Sequence, residues 1–305
     1  MRWQIMINNF ETLLQLAVDK GPKRIAVAVA QDHEVLMAIK MAKDKGIIIP
    51  ILVGDSEKIK SICDEIGLDY NNIEIINELD PIQACRIATS LVSSGKADIL
   101  MKGLVDTSII LKAVLDSEIG LRTDKIISHV AVFQVPTYHK ILMVTDPAMN
   151  ISPDLEQKRQ IIENAVDLIK CFQVNNPKVA VLAAKEKVSP KMEATVHAAE
   201  LKRMNQEGII KNCIVDGPFA LDNAINKDSA RIKGIESEVA GDADILLVPD
   251  INSGNILYKS LTFLANAKSA GLIIGTSAPI VLTSRADNDE SKLNSIALAV
   301  LKASN

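Results

Sequence analysis

The chain has 305 residues, nearly half of them apolar and few of them aromatic, and it carries a formal net charge of −4. This length favours two domains over a single core, and the acidic balance argues against a general nucleic-acid binder. The cysteines form no CxxC pair, which disfavours a disulfide framework or a zinc site and predicts a reduced, cytoplasmic protein; they are Cys63, Cys85, Cys171 and Cys213.

We do not expect the segment Met1–Val18 to be a secretory signal, because it lacks a continuous apolar core. Polar residues interrupt it at Asn8, Asn9 and Glu11, and it lacks a small-residue cleavage site. No uncharged apolar run elsewhere is long enough to cross a bilayer. We therefore expect no membrane partner.

Strand-like and helix-like segments alternate through the first third of the chain. The apolar runs at 24–30, 49–54, 73–77 and 98–102 predict strands, and the amphipathic segments at 33–45, 56–66 and 81–94 predict helices. Pro81 stands where a helix tolerates proline best, at its first turn. This order is typical of a parallel sheet with right-handed crossovers.

The middle of the chain begins differently. Strands at 128–135 and 140–145 flank Pro136-Thr137-Tyr138, which predicts an antiparallel hairpin. After a loop at 146–154, alternation resumes with helices at 155–172, 190–207, 256–270 and 288–302 and strands at 178–184, 212–216, 244–249, 272–275 and 280–283. We predict an α/β protein of two domains with mainly parallel sheets, residues 1–126 plus 277–305 forming the first and 127–276 the second.

The stretch from Pro279 to Asp287 is the most informative. An apolar strand ends there in Ser284, Arg285 and Asp287, and a helical pattern follows at once. Strand ends of α/β folds bind ligands, and a guanidinium matches two phosphate oxygens at a time. The turn therefore indicates a phosphate site beside a proton acceptor. An alternative role for Asp287 is to cap the helix in a capping box with Glu290.

A second strand end, at Lys102-Gly103, is also polar. Gly103 would let a ligand approach the main chain closely. Thr107 could bind an anion, and Lys112, a turn later, could face the same ligand. The competing interpretation is that Asp106 or Thr107 only caps the next helix.

Weaker binding candidates lie elsewhere. Arg122 is an anion contact or a loop charge, and His129, inside an apolar strand, is a substrate contact or a structural histidine. Gly254 and Asn255 belong to a turn after a strand, and Lys259 would lie on the first turn of the next helix or in solvent. No HExxH, GxGxxG or Walker A pattern occurs. We therefore predict no metal and no bound nucleotide cofactor.

Eight motifs in this order resemble the phosphate acetyl/butyryl transferase family, with its butyryl-transferring members closest. The resemblance runs over nearly the whole chain. The motifs are VAVAQD at 27–32, ILVGD at 51–55, MKGLVDT at 101–107, GLRT at 120–123, SHVAVF at 128–133, VDGPFALDNA at 215–224, EVAGDADILLVPDINSGNILYKSL at 238–261 and GTSAPIVLTSRAD at 275–287.

The resemblance implies two α/β domains like those of isocitrate and isopropylmalate dehydrogenases, with an active-site cleft between them. It implies exchange of a short-chain acyl group, butyryl or alternatively acetyl, between coenzyme A and orthophosphate. Acyl-CoA and phosphate are then substrates, and no cofactor stays bound. Dimers, or multiples of dimers, are usual.

The resemblance also assigns roles at the 284–287 turn. Ser284 would orient the thiol, Arg285 would bind phosphate, and an aspartate would take the thiol proton. The family's aspartate lies seven residues after the serine, where this chain has Ser291. Asp287 is the nearest replacement and Asp289 is the reserve. Lys112 stands where an arginine is usual, which keeps the charge but loses the bidentate fork.

Three alternatives stay open. The scaffold could serve a catalytically weak acyl-CoA or phosphate-binding protein. A decarboxylating dehydrogenase has a comparable build but would need an aspartate cluster for a metal and a nicotinamide site. A covalent acyl-enzyme through Cys171 or Cys213 is disfavoured over direct attack, because no histidine is near either in sequence.

Overall fold

A computed structural model describes residues 7–283 and 287–304. Contacts divide the chain into two compact units. We call Phe10–Lys125 with Ala270–Asn305 the terminal unit, and Met1–Asn9 with Ile126–Ser269 the central unit.

Strands and helices alternate along the chain. The strands are β1 (Lys23–Ala28), β2 (Ile48–Gly54), β3 (Glu74–Asn77), β4 (Ile99–Lys102), β5 (Ser128–Gln134), β6 (Leu142–Thr145), β7 (Lys178–Leu182), β8 (Ile214–Phe219), β9 (Ile245–Leu247), β10 (Lys268–Ile274) and β11 (Ile280–Val281). The helices are α1 (Phe10–Lys20), α2 (His33–Asp44), α3 (Ser56–Ile66), α4 (Pro81–Ser93), α5 (Thr107–Val114), α6 (Leu155–Ile169), α7 (Glu193–Gln206), α8 (Leu221–Ile225), α9 (Lys227–Ile232), α10 (Ile251–Phe263) and α11 (Asp289–Lys302), with a 3-10 turn at Lys170–Phe172.

The terminal unit contains strands in the order β3-β2-β1-β4-β11-β10. Pairing is parallel from β3 to β11, and β11 pairs with β10 in antiparallel fashion. Every residue of β4 is buried, and all but its last residue, Lys102, are apolar. Strands covered on both faces need such continuous apolar sequence, which is why composition alone favoured a parallel sheet.

The central unit contains strands in the order β5-β6-β9-β7-β8. The strands β6, β9, β7 and β8 are parallel neighbours, whereas β5 and β6 form the predicted antiparallel hairpin. The α/β class with mainly parallel sheets is therefore confirmed.

Helix α10 corrects one expectation. The sequence placed its start near residue 256 and treated 250–255 as a turn, but the helix begins at Ile251. The Asp250 carboxylate accepts a hydrogen bond from the Ser253 N–H at 2.9 Å and caps it. A Cβ on Gly254 would lie 2.8 Å from the Cα of Pro147, so a glycine inside this helix allows close packing.

Helix α11 is buried almost all round. Every residue from Lys292 to Leu301 is buried, as expected for a helix with no face toward water. Its N-cap is Asn288, whose side chain accepts a hydrogen bond from the Ser291 N–H at 2.9 Å. The predicted capping box from Asp287 to Glu290 is therefore wrong by one residue, because Asn and Asp cap equally well and stand side by side.

Candidate active site

The carboxyl ends of three neighbouring strands of the terminal unit surround a cavity of about 300 Å³. These strands are β1, β4 and β11, which pair in parallel and so end at one edge of the sheet. The lining residues come from the loops and helix starts that follow them: Asp32, His33, Glu34, Val35, Lys102, Gly103, Leu104, Thr283 and Lys292.

Gly103 is needed where it stands. A Cβ there would lie 2.2 Å from the carbonyl oxygen of Val29. Val29 itself has φ of 55°, a left-handed conformation that costs a β-branched residue about 1–3 kcal/mol. The N–H groups of Gly103 and Leu104 donate to the carbonyls of Ala28 and Val29, both at 2.8 Å. Two strand ends are thus packed tightly together at a strained turn, which is common at functional sites.

Lys102 is buried beside this turn, with 6% of its surface exposed. Its ammonium donates to the carbonyl oxygens of Gly103 at 3.2 Å and Val105 at 3.1 Å. The lysine therefore fixes the loop that follows β4 as well as lining the cavity.

Lys292 is the second buried cation of this cavity, 3% exposed. Its Nζ lies 2.8 Å from a carboxylate oxygen of Glu34, in the first turn of α2, and it also donates to the main-chain carbonyl of Asp287. Burying an unpaired ammonium is costly, so these two contacts account for its place in a buried helix.

Two sequence-predicted catalytic residues, Ser284 and Arg285, lie outside the described residues. Asp287, the first described residue after them, is 8% exposed. Asp289 is the first residue of α11 and is half-buried. A carboxylate in the first turn of a helix is favoured by the helix dipole, so Asp289 has a structural role available.

The other predicted binding residues of the terminal unit lie farther along the chain after β4. Thr107 begins α5, and Lys112 is exposed on the same helix. Arg122 is exposed and forms an isolated antiparallel bridge with Thr276. None of the three lines the cavity.

Four predicted residues belong to the central unit. His129 is buried in β5, with its ring 6.4 Å edge-on from that of Tyr258. Gly254 and Asn255 lie on α10, where the Asn255 amide donates to the carbonyl of Pro147 at 3.4 Å. Lys259 lies farther along this helix than expected and is half-buried, its ammonium 5.1 Å from the centre of the Tyr258 ring.

The cavity thus brings Lys102 and Gly103 together with residues that sequence reasoning missed. The missed residues are Asp32, His33, Glu34, Val35, Leu104, Thr283 and Lys292. Asp32 is the last residue of the VAVAQD motif and caps α2, because its side chain accepts a hydrogen bond from the Val35 N–H at 2.9 Å. The sequence did contain a signal for Lys292. It lies within the apolar pattern of α11, so its ammonium has no solvent-exposed face to extend to.

The cysteines are poor nucleophiles in this fold. Burial raises the pKa of Cys213 to about 12 and that of Cys85 to about 11. Very little thiolate then exists at neutral pH, which argues against a covalent intermediate on Cys213.

Among residues 7–283 and 287–304, no group of three His, Cys, Asp or Glu side chains is arranged to hold a metal ion. In the same part of the chain no helix is both long and apolar enough to cross a membrane.

Comparison with known proteins gives one consistent result. The family model described as phosphate acetyl/butaryl transferase matches residues 9–84 and 79–300. The phosphate butyryltransferase of Clostridium acetobutylicum is 49% identical over 300 residues, covering 98% of this chain and 100% of that protein. The phosphate acetyltransferase of Thermotoga maritima is 47% identical over 293 residues, covering 96% and 99%. The crystal structure of a branched-chain phosphotransacylase from Enterococcus faecalis aligns with a TM-score of 0.81 at 35% identity, covering 92% of this chain and 99% of that one.

The family match and the relatives of nearly equal length define an acyltransferase. The chain belongs to the phosphate acetyl/butyryl transferase family. The resemblance and the enzyme class that the sequence predicted are both confirmed.

Proposed function

We propose that the protein exchanges a short-chain acyl group between coenzyme A and orthophosphate, with butyryl preferred and acetyl as the alternative. The observation that carries this is the family match over nearly the whole chain. The cavity supports it by its place at the strand ends of the terminal unit, where α/β folds bind ligands.

The reaction needs no covalent intermediate. A phosphate oxygen attacks the thioester carbonyl, the new C–O bond forms as the C–S bond breaks, and coenzyme A leaves as a thiolate that takes up a proton. In reverse, a base takes the thiol proton and the thiolate attacks the acyl phosphate, releasing phosphate. A free thiol has a pKa of about 8.5, so a base or nearby cations must assist.

Each proposed group meets one of these needs. Arg285 holds phosphate, Ser284 orients the thiol, and Asp287 exchanges the thiol proton, with Asp289 in reserve. Holding phosphate and thioester in register supplies roughly 7–11 kcal/mol of the barrier. The remaining candidates for substrate binding are Lys102, Gly103, Thr107, Lys112, Arg122, His129, Gly254, Asn255 and Lys259.

The protein works, in this proposal, as a cytoplasmic homodimer or multiple of dimers that takes acyl-CoA and phosphate and keeps no bound cofactor. The family resemblance supports the dimer, and the cysteines, buried and unlinked, support a reducing compartment.

A turnover assay tests the proposal. The purified protein is given butyryl-CoA with and without phosphate, free thiol is measured, and acyl phosphate is trapped with hydroxylamine. We expect thiol release that requires phosphate and equals the acyl phosphate formed. Tight coenzyme A binding by calorimetry without any turnover would instead favour the binding-protein alternative.

Acyl chain length is tested in the same assay. In a pocket fitted to the substrate, each methylene is worth about 10–200-fold in kcat/KM. Butyryl-CoA should therefore exceed acetyl-CoA clearly, and the reverse order would assign acetyl transfer.

A further inference from the structure

Lys158, in the first turn of α6, is a buried cation of the central unit whose direct partner is not a carboxylate. It is 4% exposed, and its ammonium forms no ion pair with any residue of the part of the chain that the structure describes. Its Nζ lies 3.0 Å from Nδ1 of His197 on α7, whose side chain is 14% exposed. A buried ammonium is costly unless it is hydrogen-bonded, so this imidazole nitrogen compensates part of the cost.

The hydrogen bond between the two nitrogens depends on how many protons the pair holds. An ammonium can only donate, and Nδ1 can accept only while the ring is neutral and carries its hydrogen on Nε2. If the lysine were the neutral partner, a protonated His197 would donate to it, and the pair would again carry one positive charge. With two positive charges both nitrogens carry hydrogens and neither can accept. The contact between Lys158 and His197 therefore exists in the singly charged pair and is lost in the doubly charged one.

Three carboxylates act on the pair from α6, α7 and α10, and they offset its charge only in part. Glu193 lies 3.7 Å from Nε2 of His197 and is 79% exposed. Asp154 and Asp250 attract the charge of Lys158 from a greater distance, and each already caps a helix, α6 and α10 respectively. The positive end of the α6 dipole opposes them, because Lys158 lies in the first turn of that helix.

The strands against which α7 packs leave this balance unchanged. Lys178 of β7 pairs with Asp242 at 2.6 Å, and Asp216 of β8 pairs with Lys202 at 2.6 Å. A second positive charge on the pair is therefore poorly compensated. In agreement, burial and then the charge of Lys158 hold the pKa of His197 below its usual value of 6.5.

We propose that Lys158 and His197 form a pH-sensitive contact, which joins α6 to α7 while the pair carries one positive charge and weakens when acid adds a second. Below a pH of about 6.5 the unfolded chain then binds more protons than the folded chain. Stability should fall as the pH drops from about 6.5 toward the lowered pKa of His197. This inference does not rest on the proposed function.

Four variants of the full chain test it. His197→Asn keeps an oxygen acceptor near the position of Nδ1 but cannot take up a proton. Lys158→Met removes the ammonium at similar length, and Glu193→Gln removes the exposed carboxylate beside Nε2. His33→Asn is the control for unfolding, since His33 lies on α2 of the terminal unit with its side chain 53% exposed.

Urea unfolding between about pH 8 and about pH 5 measures the effect on stability. As the pH falls below about 6.5, the unfolding equilibrium constant of the unaltered protein should rise more steeply than that of His197→Asn. The difference should approach about tenfold per pH unit, the effect of one proton. His33→Asn should keep the dependence of the unaltered protein. Glu193→Gln should extend it to lower pH, because the carboxylate favours protonated His197.

The ring nitrogens of His197 give a direct readout by NMR, with their signals assigned by their absence from His197→Asn. They should show neutral imidazole with its hydrogen on Nε2 at about pH 8 and protonation only below about pH 6.5. Lys158→Met should move this titration upward. If His197→Asn fails to fold, the histidine signals that shift in Glu193→Gln identify His197, and the same titration is measured.

Three outcomes would overturn the inference. One is protonation of His197 at or above its ordinary pKa in the unaltered protein. Another is a titration of His197 that Lys158→Met does not move. The third is an equal dependence of stability on pH in His197→Asn and the unaltered protein.

Discussion

Lysines have different partners at two edges of this molecule. At the amino ends of β6, β7 and β9 in the central unit, lysines meet carboxylates. Asp242 accepts from Lys178 at 2.6 Å and lies 3.2 Å from Lys140, which also contacts Asp244 at 2.7 Å. At the carboxyl ends of β1, β4 and β11 in the terminal unit, the ammonium groups of Lys102 and Lys292 reach main-chain carbonyls, and Lys292 also pairs with the Glu34 carboxylate at 2.8 Å.

The partners decide what each edge can do. A carboxylate neutralises an ammonium, and the pair then ties neighbouring strands together. A carbonyl leaves the charge of the ammonium in place, and Lys102 in this way holds the loop after β4 at the rim of a cavity. Lys292 combines the two arrangements, because it pairs with the Glu34 carboxylate and also donates to a carbonyl. The first arrangement should govern stability and its pH dependence, and the second should govern turnover. Each of the following changes tests that division.

The largest effect should come from Asp287→Asn. If Asp287 exchanges the thiol proton, turnover should fall by about 10²–10⁴-fold. The melting temperature should hardly change, because Asn288 and not Asp287 caps α11. The measurement is kcat in both directions together with thermal unfolding.

Asp289→Asn is the matched control, since Asp289 lies in the first turn of the same helix. It should be much milder. Loss of turnover in Asp289→Asn alone would reverse the assignment, and full activity in both would favour stabilisation of the thiolate by cations.

Arg285→Lys should come next, with turnover reduced by about 10²–10³-fold, the usual effect of losing an oriented donor. A lysine keeps the charge but cannot grip two phosphate oxygens in one plane. Kinetics at varied phosphate should show the defect mainly in phosphate use. Near-normal turnover at saturating phosphate would remove Arg285 from the mechanism.

Asp242→Asn should have the opposite profile, affecting stability and not turnover. Burial alone would raise the pKa of Asp242, but hydrogen bonds from Lys178, His139 and Lys140 outweigh it and hold the pKa well below its usual range. A group with a depressed pKa stabilises the fold above its unfolded pKa of about 3.9, and this is lost as pH falls through the folded pKa. We expect the free energy of unfolding at pH 7 to fall by about 1–3 kcal/mol.

Urea unfolding at pH 7 and in acid checks this. The gap between Asp242→Asn and the unaltered protein should narrow as the pH falls below about 4. Asp228→Asn is the control, because its ion pair with Arg231 is mostly exposed and should contribute little. A large fall in kcat for Asp242→Asn would contradict the expectation that this edge of the central unit governs stability and not turnover.

Features set by local sequence could be predicted, whereas contacts between distant segments could not. Apolar strands between amphipathic helices specify the parallel sheets, and Pro136-Thr137-Tyr138 marks the hairpin, because both signals are local. The predicted start of α10 was too late, because Ser253 and Gly254 are residues that usually mark turns. The close packing of Gly254 against Pro147 explains why a glycine stands inside this helix, and the local sequence does not show that contact. The contact of Lys292 with Glu34 joins residues far apart in the chain, so no local pattern encodes it.

The smallest effect should come from Asn288→Ala, which tests where α11 begins. Asn288 accepts from the Ser291 N–H, and loss of such a cap costs about 0.5–2 kcal/mol. Asn288→Asp should keep the cap, and its negative charge should interact favourably with the dipole of α11. Chemical denaturation of both variants should therefore show loss for alanine only, with kcat far less affected than in Asp287→Asn. If Asp287→Ala loses this stability and Asn288→Ala does not, the cap belongs to Asp287 after all. The carboxylate would then be engaged by the helix, and the case for Asp287 as the proton acceptor would weaken in favour of Asp289.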